Sequence, residues 1–190
     1  GTFKELGKFS LPVFCSTTML MAVGNLDIVL VRHYCSPDEA GLYSAAAVIG
    51  RIALYLPMAL VAVLFPEVVK SQEKGEKGYH LVWITFGLTA LIGGGFAFFC
   101  YLWPEITITI LFGDKYLSSA PLLQVISISM AFLAMANVIF IYQLAHSNFG
   151  FLWPQFLGII LVLSLVISFH GSALTIAKAI LVSVVVTLLG

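Results

Sequence analysis

The chain has 190 residues, 61% of them hydrophobic and 9% charged, with no net charge at pH 7 and a mean hydropathy of +1.06. A soluble domain is about half apolar and about a quarter charged, so a water-soluble fold is excluded. The charge balance, and the lack of basic stretches interleaved with aromatics, exclude a nucleic-acid partner.

A helix crossing a membrane needs about 20 predominantly apolar residues, so several crossings fit. The first apolar run covers residues 9–31. A polar turn, residues 32–39, follows it, where Ser36-Pro37-Asp38-Glu39 reads as a helix start with Ser36 as the cap and acidic residues in the first turn. Further runs cover residues 40–65, 81–103, 121–145, 152–169 and 173–189. All six are expected to be helices. A membrane-crossing strand must alternate lipid-facing and lumen-facing residues, which residues 159–167 do not, and open sheet edges cannot face lipid. The expected fold class is therefore all-α: an integral membrane bundle of about six transmembrane helices forming one domain over residues 1–190.

Lys4, Lys8, Lys70, Lys74 and Lys77 fall on one side of such a bundle, and Arg32 and Lys115 on the other. The lysine-rich side is expected to be cytoplasmic, which places both ends there and makes the chain a multi-pass protein of the cytoplasmic membrane. The mixed-charge stretch from Lys70 to Lys77 reads as a solvated connector. The chain starts at Gly1 with no signal-peptide pattern, and its last apolar run reaches Gly190, so it is expected to be a piece of something longer. Cys15, Cys35 and Cys100 lack paired spacing, so neither a disulfide framework nor a metal site is expected.

Charges inside spans cost on the order of 2.5 to 3.5 kcal/mol each on insertion scales and need a reason. Three are found: Asp27 near the outer end of the first span, Arg51 inside the second and Lys178 in the outer half of the sixth. At about 1.5 Å per residue, Asp27 and Arg51 differ by about 10 Å in depth, a gap that a long arginine side chain can largely close. Two readings stand. They form a structural ion pair, or Arg51 docks an anionic head group while Asp27 titrates or releases it. Lys178 either snorkels to the head-group zone or takes part in function.

Asn25 and Asp27 are two residues apart, about 200° around a helix, and cannot share a face. Asn137, with Ser127, Ser129 and Gln143 on the same span, either lines a cavity or bonds a neighbouring helix. The spacing of Gly41 with Ala45, and of Ala46 with Gly50, suits close helix packing. Gly93-Gly94-Gly95 and Pro57 are points where helices are expected to bend. His33, His80, His146 and His170 all fall at expected helix ends. No nucleophile, acid and base arrangement, glycine-rich phosphate loop, GxSxG or HExxH is found, so enzyme chemistry and a cofactor are not expected.

Specific strings carry a resemblance. Asp27-Ile-Val-Leu-Val-Arg32-His33-Tyr34, then Ser36-Pro37-Asp38-Glu39-Ala40-Gly41-Leu42-Tyr43-Ser44-Ala45-Ala46 and Gly50-Arg51, resemble the start of the second half of polysaccharide flippases. These belong to the multidrug, oligosaccharidyl-lipid and polysaccharide exporter superfamily. Leu64-Phe65-Pro66, Leu111-Phe112-Gly113-Asp114-Lys115-Tyr116 with Ala120, and Leu144-Ala145-His146-Ser147 look like the same family in order and spacing. The resemblance implies two six-helix lobes around a cavity that opens alternately to either side, of which this chain supplies the second. It also implies a polyprenyl-pyrophosphate-linked oligosaccharide as substrate, a cation gradient as energy source, and Asp27 and Arg51 as cavity or gate residues. Lys178 is supported by no motif. The expected partners are that lipid-linked sugar, membrane lipid, the missing N-terminal lobe or a second copy, and polysaccharide-polymerising enzymes. A drug or cation exporter of the same superfamily and a non-transporting membrane scaffold are the competing readings.

Overall fold

The computed structural model describes residues 2–59, 62–63, 66, 70, 79–145, 150, 152–169 and 171–189. Among them every regular element is a helix: α1 (Thr2–Tyr34), α2 (Pro37–Gly50), α3 (Ile52–Tyr55), α4 (Tyr79–Leu102), α5 (Pro104–Phe112), α6 (Ala120–Ala145), α7 (Leu152–Ser168) and α8 (Ala173–Leu189), with a 3-10 helix at Asp114–Ser119. Ser36 caps α2 as expected, its hydroxyl accepting the Glu39 N–H at 3.3 Å, and Pro37 sits in the first turn, where a missing N–H costs nothing.

Helix α6 is the central post, packed against α4, α8, α2 and α3, while α7 leans on α8 and α1. Its Leu123, Ile126, Met130 and Leu133 are buried together with Tyr43 and Ile49 of α2 and Ile176 and Ile180 of α8. Small residues let these helices close in. A Cβ at Gly50 would stand 2.7 Å from Ile126 Cγ2 and 3.2 Å from the Ser127 backbone nitrogen, so α2 meets α6 through a glycine. At the α7–α8 seam a Cβ on Gly158 would collide with Thr187 Oγ1, and Ser183 Oγ donates to the Gly158 carbonyl.

Polar residues are buried within the apolar core, and large apolar residues stand on the outside. Asp27, Ser127, Asn137, Gln155 and Ser183 are buried, while Phe14, Trp83, Leu91, Ile110 and Trp153 stand at least 70% exposed. Water would drive those large side chains inward; a hydrocarbon solvent does not, and helix association there rests on packing and polar contacts. The segments His80–Leu102 and Asp114–Leu144 are long and apolar enough to cross a membrane. Helices α7 and α8, of 17 residues each, lie at the short end of the roughly 17 to 25 residues that a crossing uses.

Three features depart from expectation. The second apolar run is not one helix: it stops at Gly50, turns at Arg51, where no break was expected, resumes as α3 and turns again at Leu56 and at Pro57, the expected bend. Proline has no N–H to offer the carbonyl four residues back, so Ala53 loses its helical partner there. Helix α4 is unbroken through Gly93-Gly94-Gly95. Gly93 serves packing, since a Cβ there would lie 2.7 Å from the Ala53 carbonyl oxygen, so α4 lies close against α3. Helix α5 was not expected; its β-branched run Ile106-Thr107-Ile108-Thr109-Ile110 carries little helical propensity, and Pro104 in its first turn marks its start. It ends at Gly113, whose φ of 82° is a left-handed conformation that favours glycine. Leu64-Phe65, Lys74, Lys77, His146-Ser147 and His170 lie outside the described residues.

Candidate functional site: a buried ion pair beside a cavity

Asp27 on α1 is fully buried, and Arg51, at the joint between α2 and α3, has a side chain 11% exposed. Arg51 Nη2 donates to Asp27 Oδ1 at 2.8 Å. The same nitrogen and Nε also donate to the Gly24 carbonyl, at 3.0 and 3.3 Å. Tyr43 of α2 completes the group, its hydroxyl donating to Asp27 Oδ2 at 3.1 Å. Each carboxylate oxygen thus has a donor, and the two charges cancel inside the bundle, the condition under which buried charges are tolerated. The long arginine side chain closes the depth gap expected between the two residues.

Beside this pair lies a cavity of about 470 Å³. Its walls are Thr17, Met21, Gly24 and Asn25 of α1, Leu54 and Tyr55 of α3 with Met58 and Ala62 beyond it, and Leu133, Asn137, Phe140, Ile141 and Leu144 of α6. Gly24 belongs to both features, its carbonyl holding Arg51 while the residue lines the cavity. Asn25 lies on the cavity wall while Asp27 joins Arg51 and Tyr43, the separation their 200° spacing requires. The Asn25 amide donates to its own helix at the Met21 carbonyl, 2.8 Å away.

Of the residues singled out in the sequence, Asp27 and Arg51 come together and Asn137 faces the neighbouring cavity. Ser127 and Ser129 bond carbonyls of their own helix, at Gln124 and Val125. Gln143 lines a second, smaller cavity of about 70 Å³ together with Pro154 and Thr187. Lys178 is exposed on α8 and lines neither cavity. Tyr43 and Gly24 were not anticipated: Tyr43 lies 16 residues from its partner, and Gly24 contributes only a backbone oxygen. Among the described residues no group of three or more His, Cys, Asp or Glu is placed to hold a metal ion.

No solved structure matches the chain. An uncharacterized membrane protein of Methanocaldococcus jannaschii is 27% identical over an alignment of 142 residues that covers 71% of this chain. The chain spans only 27% of the length of that relative. A family model described as polysaccharide biosynthesis protein matches residues 1–121, a stretch that holds α1 to α5 and the whole Asp27, Tyr43 and Arg51 group. The chain is a membrane protein and belongs to the polysaccharide biosynthesis protein family.

Proposed function

We propose that this chain is one six-span lobe of a flippase that moves a polyprenyl-pyrophosphate-linked oligosaccharide across the cytoplasmic membrane by alternating access. In this reading α1, α2 with α3, α4, α6, α7 and α8 are the six crossings, both ends are cytoplasmic, and a second lobe or a second copy closes the pathway. The role is transport, not catalysis, and a cation gradient drives it. The observation that carries the reading is a cavity of about 470 Å³ between three helices in a membrane chain of a polysaccharide biosynthesis family. Such a volume is within the roughly 300 to 1,000 Å³ of pockets that enclose small ligands.

The charges within the spans do not choose between a lipid pyrophosphate and a cationic drug. Arg51 is neutralised by Asp27, and Lys178 is on the outside. Family membership favours the sugar lipid.

The test is reconstitution of the full-length protein into vesicles carrying a polyprenyl-pyrophosphate disaccharide, followed by periodate, a sugar oxidant that does not cross the bilayer. Protein-dependent exposure of the sugar initially held in the inner leaflet is expected. Vesicles that expel a cationic dye while the sugar lipid stays protected would replace this reading with that of an efflux pump. Movement of neither leaves the scaffold.

A further inference from the structure

We infer that the cavity between α1, α3 and α6 is a binding site for the uncharged, chain-like part of an amphiphilic lipid, and that the anionic part of that lipid is held elsewhere. The cargo's identity rests on the transport reading above, whereas the charge of the occupant is read from the walls alone.

Among the described residues, none that lines the cavity is ionisable at neutral pH. Arg51 is absent from the described wall, and its guanidinium is committed to the Asp27 carboxylate and the Gly24 carbonyl. An anionic phosphate placed here would give up its hydration for no opposing charge, a cost of several kcal/mol for any unpaired ion leaving water. A hydrocarbon chain meets no such cost at the same place: Met21, Leu54, Leu133, Phe140, Ile141 and Leu144 provide an apolar wall.

The wall also has a polar point. Asn137 is 4% exposed and faces the cavity from α6, opposite Asn25 on α1. The Asn25 amide nitrogen is engaged with Met21, which leaves its carbonyl oxygen as an acceptor, and the Asn137 side chain offers both donors and an acceptor. Two carboxamides add neutral polar points to the wall without adding a charge that could pair with an anion. The volume, about 470 Å³, accepts several carbon units of a chain.

The sign of an introduced charge tests this directly. The full-length protein in detergent is titrated with a neutral long-chain polyprenol, with a polyprenyl pyrophosphate and with sodium pyrophosphate, and bound ligand is read by native mass spectrometry. Wild type is expected to bind both lipids, with sodium pyrophosphate unable to displace the polyprenol. Asn25→Lys places a cation on the wall and is expected to weaken binding of both lipids about tenfold. Stronger binding of the pyrophosphate lipid to Asn25→Lys would overturn the inference, because it would put the phosphate in this cavity. Met58→Trp, at a half-exposed wall position, fills the space and is expected to abolish polyprenol binding; undiminished binding in a variant that still elutes as a monodisperse species would place the lipid elsewhere. Failure of the sugar lipid to flip in vesicles, with polyprenol binding intact and blocked by Met58→Trp, would sink the transport reading and leave this one standing.

Discussion

Arg51 Nη2 meets Asp27 Oδ1 at 2.8 Å across 24 residues of sequence, and the same guanidinium holds the Gly24 carbonyl one turn earlier on α1. The pair therefore ties the joint between α2 and α3 to the wall of the cavity. Asp27 is fully buried, so Arg51→Ala leaves a lone carboxylate in the bundle and is expected to cost about 3 to 5 kcal/mol. Replacing both residues by leucine removes the buried charges together and is expected to restore most of that loss. Thermal melting of the full-length protein in detergent reads both. A double variant that melts as low as Arg51→Ala would show that the two residues are not coupled and would return Arg51 to a docking role.

Tyr43 is 1% exposed and spends its hydroxyl on Asp27 Oδ2. Tyr43→Phe keeps the ring in the core and removes one hydrogen bond to a charged acceptor, expected to cost about 1.5 to 3 kcal/mol. The loss should vanish in an Asp27→Asn, Arg51→Gln background, where no charge needs that donor. A double-mutant cycle on melting temperature measures the coupling, and equal losses in the two backgrounds would assign Tyr43 to packing alone.

The glycine triplet of α4 separates packing from flexibility. A Cβ at Gly93 would press on the Ala53 carbonyl at 2.7 Å, whereas nothing stands within 4 Å of one at Gly95. Gly93→Ala is expected to destabilise by about 1 to 3 kcal/mol through overpacking against α3. Gly95→Ala is expected to be neutral or to stabilise by up to about 1 kcal/mol, the difference in helix propensity. If both substitutions lowered the melting temperature alike, the triplet would be acting as a bend after all.

What local composition encodes was legible: the apolar runs, the Ser36 cap, and Asp27 and Arg51 as charges at depths an arginine can bridge. Properties that depend on where helices meet were not. Gly24 and Tyr43 join the pair only through tertiary packing, and neither has a charge that would have demanded a partner. Pro57 was visible as a breaker, but the turn at Arg51 was not, because arginine is a good helix former, its backbone there stays right-handed helical, and glycines such as Gly50 are common within membrane helices. Helix α5 was hidden by its alternation of isoleucine and threonine, which reads as strand or as nothing. Asn25 and Asn137 are 112 positions apart, and only the contact of α1 with α6 puts both on one cavity.

Cys35 lies in the link between α1 and α2, half-buried. Burial, and after it the nearby Glu39 carboxylate, push its thiol above the usual cysteine range. The thiolate is the reactive form, so at pH 8 Cys35 should react with a maleimide more slowly than a free cysteine does. Glu39→Gln removes the second cause, brings the thiol down and should speed the reaction at pH 8, with the gap closing at high pH where both forms are ionised. Stopped labelling of a Cys15→Ala, Cys100→Ala protein, with and without Glu39→Gln, across pH 7 to 11 measures this. A rate gap of the same size at every pH would mean that Glu39 controls access to the thiol and not its charge.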